Sequence, residues 1–193
     1  MAAGPFEADL AMPFGVAARG ASAGPKVVAI LRPRDTSWVV PRTSKYTFYV
    51  WGAGGIPATV GAGGGGFARK TISLAKGTVL TCAISFGGLY GPDGSQNIIS
   101  ATTLSGGGLS ISCPAASNQT AGTASGGDIN VPGTNGVGQT GGVAGGDGTP
   151  LGTGGTGGLN GTPGTHPGGG GGNGGGTIAY SGSGEIRIVD ETP

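Results

Sequence analysis

From Lys26 onward, apolar and polar residues alternate in short runs separated by turn residues. Lys26–Leu31 (KVVAIL) and Ser37–Val40 (SWVV) are β-branched, and Lys45–Trp51 (KYTFYVW) places Tyr46, Phe48 and Val50 on one face and Thr47, Tyr49 and Trp51 on the other. Two substantial faces mark a central strand, or one covered by a neighbouring subunit. Phe67–Leu74, Thr78–Phe86, Asn97–Leu104 and Leu109–Cys113 continue the pattern, with Pro92-Asp93-Gly94 as a turn. No window keeps apolar residues at helical spacing, because glycine and proline interrupt every long run. Seven to nine short strands predict an all-β fold, a small β-sandwich or jelly-roll-like domain over residues 26–113. Glu185–Val189 alternates too, so residues 177–193 are expected to return as a strand to that domain.

Between these parts lies a segment of another character. Residues 105–176 hold 29 glycines in 72 positions, and no aromatic residue occurs between Tyr90 and Tyr180. Glycine has the most backbone freedom to lose and no side chain to bury, so such a segment orders only when its amides find partners in bulk. Side-by-side polyproline-II helices, with glycine where backbones touch, meet that demand and predict glycine every third residue. From Gly133 to Leu159 one register is glycine at seven of nine positions, broken by Gln139 and Leu151. Mobile loops are the alternative. The terminal strand needs the segment to come back, so residues 114–176 are expected to form a polyglycine-II-like excursion.

Residues 1–25 are small, with isolated Phe6, Leu10, Met12, Phe14 and Val16. A structureless leader fits this pattern, and so does an extended anchoring arm whose five large side chains fill pockets on a partner; the arm is the expectation adopted. Tyr49 and Trp51 share a face that a single-chain core does not obviously reach, which assigns them to an oligomer interface.

Charge sharpens the division. Residues 1–76 carry nine of the ten Lys/Arg, whereas residues 77–184 carry none and only Asp93, Asp128 and Asp147. A long stretch without cations cannot track phosphates, so no nucleic-acid partner is expected. No apolar run reaches the length of a membrane span, so membrane insertion is not expected either. Gly20–Gly24 matches the nucleophile-elbow pattern without a following helix signal, and the sole histidine, His166, sits in a Thr-Pro loop. Paired carboxylates and metal-ligand clusters are absent from the sequence pattern, which points away from an enzyme and from any cofactor. Cys82 and Cys113 lie on apolar strand faces as buried thiols, with a disulfide as the alternative.

The phrases Val50–Gly55, Gly63–Ala68 and Ser73–Leu80, with the closing Gly184–Val189 strand, resemble the glycine-rich domain of bacteriophage tail and fibre proteins. The glycine tract resembles the polyglycine-II tips of phage tail-fibre adhesins. The resemblance departs at Ile56–Val60, which breaks the first glycine cluster, and over residues 1–37. It implies a virion surface protein, homotrimeric, contacting other virion structural proteins and a bacterial surface glycan or outer-membrane protein, and located on the virion surface after assembly in the host cytoplasm. It implies no catalytic residues. The expected function is therefore host-surface binding by a tail fibre, tail tip or spike; the alternatives are a purely structural capsid spike, decoration or anchor subunit, and a cellular glycine-rich surface or ice-binding protein. Receptor contact is expected in the glycine-rich turns at Leu151, Leu159, Asn160, Thr165 and His166, the larger side chains of that stretch. For Leu151 and Leu159, plugging gaps between glycine helices is an equal alternative.

Overall fold

The computed structural model describes residues 25–57, 60–87, 101–174 and 179–192. The strands among them are β1 (Lys26–Leu31), β2 (Ser37–Val39), β3 (Ser44–Trp51), β4 (Phe67–Leu74), β5 (Val79–Ala83), β6 (Thr102–Gly106), β7 (Leu109–Cys113), β8 (Ile129–Val131) and β9 (Glu185–Asp190). They form two antiparallel sheets, ordered β1-β9-β3-β4-β8 and β2-β5-β6-β7, and no helix occurs among the described residues. The all-β, two-sheet architecture expected from the alternation is what the chain adopts. The C-terminal strand sits inside the first sheet, pairing with β1 through Ile188 opposite Ala29 and with β3 through Ile188 opposite Phe48.

The core between the sheets follows from strand periodicity. Tyr46, Phe48, Val50, Ile186 and Ile188 point from the first sheet toward Leu80, Cys82, Leu104, Leu109, Ile111 and Cys113 of the second, and all are buried. Burying this apolar area supplies the main driving force at about 25 cal/mol per Å². Cys82 and Cys113 are free thiols, and burial pushes Cys113 up to about 12.

The opposite face of the first sheet carries a second cluster: Tyr49, Trp51, Phe67 and Val189, closed by Ala144 and Leu151 from the glycine-rich segment. Trp51 is fully buried and its indole Nε1 donates to the Gly145 carbonyl at 3.0 Å. The Arg187 guanidinium lies 4.8 Å from the Trp51 ring centre. The oligomer interface assigned to Tyr49 and Trp51 is thereby corrected. Their face is covered by the same chain, because the glycine-rich segment folds back over it, leaving Tyr49 only 7% exposed. That segment is tied in further by β8, which pairs with β4, and by Arg69 bonded to the buried Asp147.

Beyond the ends of β3, β4, β7 and β9 the strands give way to glycine-rich runs joined by backbone hydrogen bonds. The run Gly61–Gly66 lies at their centre. Gly61 and Gly64 donate to Gly138 and Thr134, Ala62 and Gly65 to Gly171 and Gly168, and Gly63 to Asn118. In return Gly52 and Gly55 donate to Gly66 and Gly63, Gly142 and Gly145 to Ala62 and Gly65, and Gly122 to Gly64. Six neighbouring runs thus surround one run, and the direction of bonding repeats every third residue. Contact is that close only because side chains are missing: a Cβ at Gly64 would lie 2.2 Å from the Val143 carbonyl oxygen, and one at Gly66 2.0 Å from that of Thr123.

The outer runs explain the period of three in the sequence. Thr134, Val137, Thr140 and Val143, then Thr153, Thr156, Leu159, Thr162 and Thr165, are all exposed, whereas Gly136, Gly142, Gly145, Gly155 and Gly158 between them are buried. Most of the larger side chains of these runs lie in the one register facing solvent. Glycine occupies the registers that touch other backbones.

Candidate functional site

The expected contact residues do not form one cluster. The expected arm residues Phe6, Leu10, Met12, Phe14 and Val16 lie outside the described residues. Leu151 packs, partly buried, against the Trp51 cluster, and its carbonyl accepts from Arg187 Nη1 at 2.9 Å. It is therefore a gap-filling residue at the base of the lattice, and its receptor assignment is corrected. Thr165 is exposed and its hydroxyl pairs with that of Thr156 at 3.0 Å, which joins two adjacent runs.

Leu159 and Asn160 fall at a tight turn, with Asn160 at φ 49° and Gly161 at 79°. This turn is one of three that the lattice brings together. Ser117–Thr120 and Val137–Thr140 each close through paired backbone bonds, and Leu159–Thr162 closes through Thr162 N to Leu159 O. Gly136 N donates to Gln119 O, Asn160 N and Asn173 N donate to Gln139 O, and Thr140 bridges Leu159. Together the turns present Asn118, Gln119, Gln139 and Asn160 with Val137 (74% exposed) and Leu159 (54% exposed), and none of their residues is ionisable. Sequence reading found Leu159 and Asn160 but missed Asn118, Gln119, Val137 and Gln139. The missed amides share a signal with Asn160: each lies one or two residues before an exposed threonine, Thr120, Thr140 or Thr162.

His166 belongs elsewhere. It sits where β1 ends and the lattice begins, and lines a recess of about 280 Å³ with Arg32, Ser183, Gly184 and Glu185. Its Nδ1 lies 3.0 Å from Ser183 Oγ. Glu185 is 7% exposed at its side chain and accepts from Arg187 Nε at 2.6 Å through Oε1, while Oε2 lies 3.7 Å from Arg32 Nε. Arg32 is held by its own turn, where its amide donates to Asp35 Oδ2 at 2.7 Å and its side chain stays 71% exposed. A second depression, where the cover over the first sheet ends beside Tyr49, is lined by Lys45, Thr47, Tyr49, Arg69, Thr71 and Glu191. Among the described residues no group of three His, Cys, Asp or Glu is placed to hold a metal ion.

Two carboxylates act as structural anchors, Asp147 at the base of the lattice and Asp190 at the opposite end of the first sheet. Burial pushes Asp147 up, but the Thr149 hydroxyl and amide and the Arg69 guanidinium outweigh it and hold the carboxyl below its usual range. Asp190 is likewise pushed up by burial and brought below that range by Arg42, Ser44 and the Thr192 amide. No protein-family model matches the chain, and no curated protein matches it either.

Proposed function

We propose that the protein is a bacteriophage virion surface protein, of the tail-fibre, tail-tip or spike kind, that binds the bacterial host surface through the turns of its glycine-rich lattice. The observation that carries this reading is the gathering of Ser117–Thr120, Val137–Thr140 and Leu159–Thr162 by backbone bonds into one uncharged patch. The runs beneath are bonded every third residue, which supports a polyglycine-II-like scaffold. Such a scaffold is held by backbone, so its turn residues can differ without disturbing what lies below. The resemblance to phage tail and fibre domains supplies the context: other virion proteins as partners, a homotrimeric assembly, and an anchoring role for residues 1–25.

An uncharged amide-rich patch with two exposed aliphatic side chains matches a neutral glycan or a protein loop better than an anionic polymer. The test is adsorption of fluorescently labelled protein to a panel of bacterial strains. A Gln119→Ala/Gln139→Ala/Leu159→Ser variant is expected to lose saturable binding while keeping its melting temperature, since these side chains are exposed. Equal binding by variant and parent would move recognition off the turns. No binding to any strain by the parent would favour the purely structural virion subunit.

A further inference from the structure

We propose that the recess formed by Arg32, His166, Ser183, Gly184 and Glu185 is a binding site for a neutral vicinal diol, the recognition unit of a pyranose sugar. The recess is independent of the three-turn patch and of the host-binding proposal. It is a wedge between the end of an edge strand and the first glycine runs. Its volume of about 280 Å³ is close to the lower limit of about 300 Å³ for small-molecule sites.

The chemistry of the walls selects the ligand class. Glu185 Oε1 is engaged by Arg187, but Oε2 has no close hydrogen bond among the described residues and is available as an acceptor. Arg32, 3.7 Å away and largely exposed, has spare N–H donors beside it. A hydroxyl bound between them donates to the carboxylate and accepts from the guanidinium. The Ser183–His166 pair, 3.0 Å apart, offers a second donor and acceptor for the adjacent hydroxyl. An anion would meet the Glu185 carboxylate, and a cation would meet Arg32 and Arg187, so both are disfavoured against a neutral polyol. Gly184 lines the recess with backbone, and a side chain has no room beneath it, because a Cβ would lie 2.2 Å from the buried Thr102 Oγ1. The backbone on both sides of the recess is fixed, by the Arg32–Asp35 turn and by the Gly168 N to Ser183 O bond at 2.9 Å.

The experiment is a titration of the ¹⁵N-labelled full chain with the methyl glycosides of glucose, galactose and mannose, followed by amide shifts. At least one neutral sugar is expected to give saturable shifts at Arg32, Ser183, Gly184 and Glu185, with Kd of order 1–10 mM. Arg32→Gln and His166→Ala, both at exposed side chains, are expected to weaken it about tenfold or more, whereas Ser110→Ala on the far sheet leaves it unchanged. Methyl glucuronide and glucosamine are expected to bind more weakly than the neutral sugar. Absence of saturable shifts with all three glycosides, tighter binding of the glucuronide, or unchanged affinity in both variants would each overturn the proposal. Cell adsorption does not enter the measurement, so its outcome is separate from that of the host-binding test.

Discussion

Replacing Gly64 with alanine tests the physical basis of the lattice with one methyl group. The added Cβ would sit 2.2 Å from the Val143 carbonyl oxygen, 2.3 Å from its carbon and 2.7 Å from the Ala144 nitrogen. All three are backbone atoms, so no side chain can swing aside, and the neighbouring run must retreat by about 1 Å to reach ordinary contact. That run is held by Gly142 N to Ala62 O at 2.6 Å, Ala144 N to Gly155 O at 2.9 Å and Gly145 N to Gly65 O at 2.9 Å, while Thr134 N donates to Val143 O. Losing two or three such bonds, at about 1 kcal/mol each, costs about 2–3 kcal/mol. For a domain of this size the melting temperature should fall by about 4–12 °C. The same change at exposed Thr123 should stay within about 0.5 kcal/mol. Calorimetry or urea denaturation of both variants provides the numbers. A Gly64→Ala protein as stable as the Thr123→Ala control would refute the close packing from which the cost is calculated.

Trp51→Phe removes the indole bond to Gly145 O and weakens the stacking of Arg187, so a loss of about 1–3 kcal/mol is expected in urea denaturation. Cys113, buried and pushed up to about 12, should react with a thiol reagent at pH 8 only as fast as the protein unfolds; rapid labelling of the native protein at Cys113 would contradict its burial. The folded-state carboxyls of Asp147, Asp190 and Asp128 lie below their usual range, Asp128 through the Lys70 ammonium and the Thr71 amide. The stability they supply is full above the ordinary carboxylate range and is lost as pH falls through it toward the lowered values. Asp147→Asn should therefore be less stable at neutral pH and show a shallower acid limb below about pH 4, measured as melting temperature against pH.

The strands were legible because a two-residue period survives in KVVAIL, KYTFYVW and the closing EIRIVD, and because that last strand required a sheet to join. β8 was not legible: Ile129–Val131 offers three residues inside a glycine tract, too few for a pattern. The two-faced character of Tyr46–Trp51 announced a second cover but not its source. A glycine run carries no side chain to say where it packs, so its placement over Trp51 was invisible. The period of three could be read in part, because glycine holds one register at seven of nine positions from Gly133 to Leu159. Gln139 breaks the glycine register at a turn, and Leu151 breaks it at the base where the chain reverses near Arg187. The recess was hidden for another reason: Arg32, His166 and Glu185 come from distant parts of the chain and carry no shared motif.

Gly61–Gly66 is an interior run bonded to its neighbours through the amides of 61–65 and the carbonyls of 62–66, as well ordered as a strand. Native-state hydrogen exchange of the 60–66 backbone tests this most directly, since these amides have no side chains to protect them. The account predicts that Gly61, Ala62, Gly63, Gly64 and Gly65, each donating to a neighbouring run, exchange as slowly as the amides of β3, through global unfolding alone. Exchange on the timescale of an exposed turn, while β3 stays protected, would contradict it.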